Sequence, residues 1–275
     1  DSMTYKMIVL DLDDTLLRDD HTISPRTKEA LMQAQEMGVK VVLASGRPTF
    51  GMQSIASELE LSKYGSYILS FNGGKIINCE TGEEIFSSTL SREEVHGLYE
   101  ISRREDVHIH TYLGDEIVTE DDNEFSRIES GLIGLPVRVV DSFKEAVSEP
   151  VVKSLMVYEP ERLQEVEAKL QEELSGQFSV MRSKPYFLEF TELGVTKGTS
   201  LKKLIGLCGI KQEEVIAIGD SFNDQAMIEF AGLGVAMGNA HEEIKAIADY
   251  VTDTNMNDGV AKVVDEFIMR KPILA

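Results

Sequence analysis

Asp11 and Asp13 follow four apolar residues, Met7 to Leu10, in "MIVLDLDDTLL", and Asp14 completes three carboxylates within four positions. Further along, Ser45 and Gly46 end the apolar run "KVVLASG", Lys197 opens a helical pattern, and Asp220, Asn223 and Asp224 follow the run "VIAIG". Two carboxylates about 4 Å apart repel by roughly 4 kcal/mol at an effective dielectric near 20. That is a large fraction of a total stability of about 5–15 kcal/mol. If Asp11, Asp13 and Asp220 meet, a cation is expected among them. Ligation by carboxylate oxygens, with positions left for water and phosphate, suits Mg²⁺ better than zinc, for which the sequence has no His/Cys cluster.

The elements needed to gather these residues are legible. Short runs apolar on both faces alternate with helical patterns at each end of the chain, the grammar of a parallel sheet covered on two sides. Ser24 suits a helix N-cap, Pro25 the first helical position and Gly38 the stop. The chemistry-capable residues fall at the C-terminal ends of the expected strands, which converge on one crevice in a doubly wound sheet. The expected fold is therefore α/β, a doubly wound, mostly parallel Rossmann-like sheet.

The middle reads differently. From about Ile76 to Thr191 the strands are longer, half polar and largely paired, with helices expected over Arg92 to Arg104, Asp122 to Ser130 and Glu161 to Leu174. This predicts an inserted α+β domain with an antiparallel sheet, over 83–190, set into a core of 1–82 and 191–275. The Glu161 to Leu174 helix is expected to turn a charged face to water. His108, His110 and Tyr112 alternate along one strand and read as a solvated sheet face.

Charge narrows the partners. Asp+Glu number 48 against Lys+Arg 27, a formal charge of -21, which repels nucleic acid and anionic lipid. A small anionic substrate needs local positive groups to bind. Cys79 and Cys208 have no metal-ligand spacing and predict no disulfide framework, so a reducing cytoplasm is the expected compartment. No run approaches the roughly 20 apolar residues of a membrane helix, and no signal-peptide pattern is seen. Asp1 and Ser2 ahead of Met3 have the look of residues added in cloning.

"DLDDT", "LASGR", "VTKG" and "GDSFND", in that order on an α/β framework, resemble the four motifs of the haloacid dehalogenase superfamily. The insertion and the "FNGG" string resemble its Cof-type branch of sugar-phosphate and cofactor phosphatases. The resemblance spans nearly the whole chain. It implies a Mg²⁺-dependent phosphatase of small phosphomonoesters, with Asp11 as nucleophile forming an aspartyl phosphate and Asp13 as general acid and base. It implies metal binding by Asp11, the Asp13 carbonyl and Asp220, with Asp224 in support and Ser221 assisting. Phosphate contacts would come from Ser45, the Gly46 and Leu12 amides, Lys197 and Asn223, with Thr15 orienting the acid/base loop. Arg47 stands between gripping substrate and pairing with a surface acid, and Asn72 and Gly73 between a plain turn and a substrate-facing role. Asp14 reads as a solvated or capping residue, and His21 carries no signal.

The long separation from Ser45 to Lys197 puts the inserted domain between the second and third motifs, where the resemblance implies a mobile lid. Three other functions share parts of the pattern. A phosphomutase of phosphomannomutase type would use the same aspartyl phosphate. A signalling receiver also has an acidic pair and a lysine, but accepts phosphate after its third strand, where this chain reads "SFNGG". A nucleotide-binding module would need a GxGxxG loop after the first strand, and none is present.

Overall fold

The computed structural model describes residues 4–270, so Asp1 and Ser2 lie outside the described residues. The chain divides into two compact units, one running to Phe86 and resuming at Thr196, the other Ser87–Val195.

The first unit is built on an eight-stranded sheet in the order Tyr250–Val251, Leu233–Ala236, Val215–Gly219, Met7–Leu10, Lys40–Ala44, Tyr67–Ser70, Lys75–Asn78, Glu84–Ser87. The first six are parallel to one another. Met7 to Leu10 lies at the centre, between Val215–Gly219 and Lys40–Ala44, and all four of its residues are fully buried. Burial on both faces is what selects a continuous apolar run over an alternating one. Helix Pro25–Glu36 begins where expected, with the Ser24 side chain accepting from the Thr27 amide.

The α/β reading holds, with one shift at the edge of the sheet. Lys75–Asn78 pairs antiparallel with Tyr67–Ser70, and Glu84–Ser87 follows it on the rim. The predicted boundaries at 82/83 and 190/191 leave Lys75–Asn78 in the first unit and put Glu84–Ser87 in the insertion. The units instead meet at 86/87 and 195/196. An edge strand of a sheet, half exposed, carries the same alternation as a strand of a separate antiparallel sheet, so polarity alone does not place Glu84–Ser87.

The second unit holds a six-stranded sheet in the order Phe178–Lys184, Phe187–Glu192, Ser154–Val157, His108–Leu113, Glu116–Thr119, Val137–Val139. All its pairings are antiparallel except the last, between Glu116–Thr119 and Val137–Val139. Helices Arg92–Arg104 and Pro160–Glu173 bury Val95, Leu98, Leu163, Val166 and Leu170 in one core with Ile109, Met156, Leu188 and Phe190. Pro160–Glu173 turns its acidic positions outward, as its pattern predicts.

The other side of this sheet is covered at His110 and Tyr112, while His108 stays part exposed. His110 is fully buried and Tyr112 nearly so, because helix Glu124–Ile133 lies against them. Its Ser126 hydroxyl meets His110 Nδ1 at 2.8 Å, and its Glu129 carboxylate accepts from the Tyr112 hydroxyl. No described helix is long and apolar enough to cross a membrane.

Candidate active site in the first unit

Asp11 follows directly on the central strand, and its amide donates to Ile218 O at 3.1 Å, so the parallel ladder with Val215–Gly219 continues into the site. Asp220 follows that neighbouring strand. Adjacent parallel strands ending at the same level bring together two residues far apart in sequence, as the sheet grammar predicts. Carboxylate oxygens of Asp11, Asp220 and Asp224 lie within 4.8 Å of one another, and all three residues are buried.

Lys197 is the first residue of helix Lys197–Cys208, whose N-cap Thr196 accepts from the Thr199 amide. Its Nζ donates to Asp11 Oδ1 at 3.0 Å and Asp224 Oδ1 at 2.6 Å, with the side chain wholly buried. Burial pulls the Lys197 pKa down, but Asp11 and Asp224 more than offset that and hold it above the ordinary value. Asp11 is displaced the other way. Burial, then the Asp224 charge, push its carboxyl well above the usual range against the pull of Lys197, and Asp220 adds to the rise. One ammonium does not neutralise three buried carboxylates, and that surplus is what a divalent cation would cancel.

The three acids are not equivalent. Asp224 Oδ2 accepts from the amides of Asp220 at 3.0 Å and Ser221 at 3.1 Å, while Oδ1 takes Lys197. With both oxygens engaged, Asp224 fixes the loop and the lysine. Gly219 makes this possible, since a Cβ there would sit 2.5 Å from the Asp224 Cβ. Asp220 is oriented by the Thr15 hydroxyl on Oδ1 and the Ser221 hydroxyl on Oδ2, each at 2.9 Å. Thr15, expected to orient the acid/base loop, thus bonds the fourth motif instead. An all-oxygen set of this kind suits a hard divalent cation.

Asp13 is expected to offer a metal its carbonyl, and its carboxylate lies outside the cluster of three acids. Arg47 Nη2 donates to its Oδ1 at 2.6 Å and Nε to its Oδ2 at 3.0 Å, and His21 Nδ1 lies 3.5 Å away. Only the Asp13 carbonyl is left as a metal donor. Burial pushes the Asp13 carboxyl up, but the Arg47 hydrogen bonds and charge, followed by His21, hold it below its ordinary value. Arg47 therefore pairs with an acid, and that acid is Asp13. His21 was missed: one histidine on an exposed turn gives no pattern to read.

Ser45 is buried, and its Oγ accepts from the Arg47 amide at 3.0 Å. Across Gly46 lies Asn72, whose side-chain nitrogen and oxygen would each stand 3.2 Å from a Cβ at that position. Asn72 Oδ1 accepts from Asn223 Nδ2 at 2.8 Å, and its amide donates to Ser45 O. Phe71 and Asn72 both have positive φ, 52° and 57°, a strained turn of the kind that gathers at functional sites. Residues from five stretches of chain, after four parallel strands and at one helix start, thus share a single neighbourhood. Asp14, at φ 61°, stays outside the cluster of three acids.

Comparison with known proteins agrees with this geometry. The family model described as haloacid dehalogenase-like hydrolase matches residues 8–264. The putative phosphatase YxeH of Bacillus subtilis is 34% identical, over 97% of this chain and 100% of its own. A crystal structure of a haloacid dehalogenase-like hydrolase from Bacteroides thetaiotaomicron is 46% identical, with a TM-score of 0.89 over 96% of this chain and 99% of the other. The sugar phosphatase BT4131, of subclass IIB of the superfamily, is 30% identical with a TM-score of 0.78, over 95% and 98% of the two chains. The strand-end acids, the lysine at the helix start and these likenesses lead to one family: the chain belongs to the haloacid dehalogenase-like hydrolases and is an enzyme of their phosphatase type.

Proposed function

We propose that the protein hydrolyses small phosphomonoesters, sugar phosphates foremost, through an aspartyl phosphate on Asp11 and with Mg²⁺ bound. The observation that carries this reading is the over-acidic pocket of Asp11, Asp220 and Asp224 around Lys197, placed at the ends of the central parallel strands. Asp11 Oδ attacks phosphorus, and the bond from phosphorus to the substrate oxygen breaks. Asp13 gives its proton to that oxygen, so the alcohol leaves neutral. Water then attacks the phosphorus, Asp13 takes its proton, and the bond to Asp11 breaks to release inorganic phosphate. Lys197 offsets the charge of the nucleophile and the arriving phosphate, and the Ser45 hydroxyl, the Gly46 and Leu12 amides and Asn223 supply hydrogen bonds to the phosphoryl oxygens.

Asp11, Asp220 and the Asp13 carbonyl would hold the cation, with Asp224 ordering its loop. When bound, it supplies charge neutralisation and fixes the phosphoryl group for in-line displacement. Hydrolysis is favoured over transfer between sugar positions because the similar proteins carry the name phosphatase. The second unit is proposed to set the choice of leaving group.

The test is phosphate release from sugar phosphates, flavin mononucleotide, pyridoxal phosphate and p-nitrophenyl phosphate, with and without Mg²⁺. Turnover should require the metal, and Asp11→Asn should lower it by about a thousandfold or more. Metal-independent turnover, or an undiminished rate in Asp11→Asn, would refute the mechanism. Phosphoryl shift between sugar positions without net release would replace it with a mutase.

A further inference from the structure

Arg47 has the composition of a phosphate ligand and the geometry of something else. Its guanidinium closes a fork on both oxygens of Asp13, at 2.6 and 3.0 Å. The remaining nitrogen, Nη1, donates to the Gly51 carbonyl at 3.0 Å. The aliphatic stem lies over Gly51, where an added Cβ would be 3.4 Å from the Arg47 Cβ. The backbone is held as well, its amide by Ser45 Oγ at 3.0 Å and its carbonyl by the Phe71 amide at 2.9 Å. Each of its three guanidinium nitrogens has a protein partner, and the side chain is about one-quarter exposed.

Asp13 is the one that needs holding. It sits on a turn with non-helical backbone, beside Asp14 at φ 61°, and its side chain is nearly half exposed. A lone carboxylate there, next to an acidic cluster, would be repelled into several rotamers. We propose that Arg47 is a positioning residue for Asp13: it fixes the direction of the carboxylate that exchanges protons with the leaving oxygen and with water, and does not grip the phosphate. This rests on the phosphatase reading above. The fork uses two of about four lone-pair sites on the carboxylate, so the others stay open to a proton. A displacement of about 1 Å at such a group can cost on the order of a hundredfold in rate. Lysine cannot reproduce the fork, because an ammonium is a point charge without planar paired donors.

The two roles separate by leaving group. A hexose 6-phosphate must have its leaving oxygen protonated, whereas p-nitrophenolate departs without a proton. In Arg47→Met, kcat/KM for the hexose phosphate should fall about 100-fold while that for p-nitrophenyl phosphate falls less than about threefold. With p-nitrophenyl phosphate, kcat should also drop behind a burst of one p-nitrophenolate per active site, since water attack on the aspartyl phosphate still needs Asp13. Arg47→Lys should show the same split, and serves if the methionine variant does not fold. An equal fall for both esters, without a burst, would assign Arg47 to the phosphate and overturn the inference. Unchanged kinetics on both would overturn it too. Wild-type protein without Asp11-dependent turnover would instead remove the phosphatase reading, and this inference with it.

Discussion

Each unit buries a lysine among carboxylates, and the two arrangements differ in their charge balance. In the first unit Lys197 faces Asp11 and Asp224, with Asp220 close behind, and the site is left negative. In the second unit Lys153 pairs with Glu189 at 2.8 Å. Burial pushes Glu189 up, but Lys153 holds it below its ordinary value, so that pair is matched. The neighbouring Glu129 accepts from the Tyr112 hydroxyl, and burial raises its carboxyl. A pair matched one to one is consistent with a structural role, whereas three buried carboxylates around one lysine are consistent with a site that takes a cation. Perturbed acids mark a functional site when their imbalance has no protein partner.

Removing one member of the matched pair should have the largest effect on stability. Glu189→Gln removes the carboxylate of a buried ion pair with Lys153, which typically costs about 3–5 kcal/mol. Chemical unfolding should show that loss whether or not Mg²⁺ is present. A loss below about 1 kcal/mol would mean that the second cluster is as loosely balanced as the first, and the contrast would fail.

The surplus cluster should respond in the opposite direction. Asp220→Asn removes repulsion and should stabilise the metal-free protein by about 0.5–2 kcal/mol, as is common when an active-site strain is relieved. In the wild type, Mg²⁺ at 100 times its Kd should add about 2.7 kcal/mol, and in Asp220→Asn most of that increment should vanish. Thermal melting with and without the metal measures both. A variant less stable than the wild type without metal would show that Asp220 is structural.

How much of this was written in the sequence follows from the kind of interaction involved. The strand ends were readable because Met7 to Leu10 and Val215 to Ile218 are apolar on both faces, and because parallel neighbours must bring Asp11 and Asp220 to one level. Side-chain pairing was not readable. Thr15 reaches Asp220 across 205 positions and Arg47 reaches Asp13 across 34, and no local pattern encodes either bond. The burial of His110 was hidden for a related reason: the covering helix Glu124–Ile133 comes from another stretch of chain, so alternation on His108–Leu113 could not tell a wet face from a covered one. The rim strand Glu84–Ser87 was unreadable in the same way, through polarity that two locations share.

The effect that builds most gradually, one pH unit at a time, tests the second cluster through protons. Burial, and then the charge of Lys153, lower the His110 pKa from 6.5 to about 3, so the folded chain keeps this imidazole neutral where the unfolded chain protonates it. Between those two values the unfolded state binds more protons, and stability must fall as the pH drops. One such group contributes a slope of about 1.4 kcal/mol per pH unit. Glu129, with its raised pKa, works the other way, holding protons in the folded state above its ordinary range. Comparing wild type with His110→Gln cancels that common contribution. The substitution should be costly at neutral pH, because it disturbs a fully buried ring bonded to Ser126, and its cost should shrink steadily as the pH falls below 6.5. Parallel curves for the two proteins would mean that His110 ionises freely when folded. The second cluster would then not exclude charge, and the distinction from the Asp11 site would rest on the lysine pairs alone.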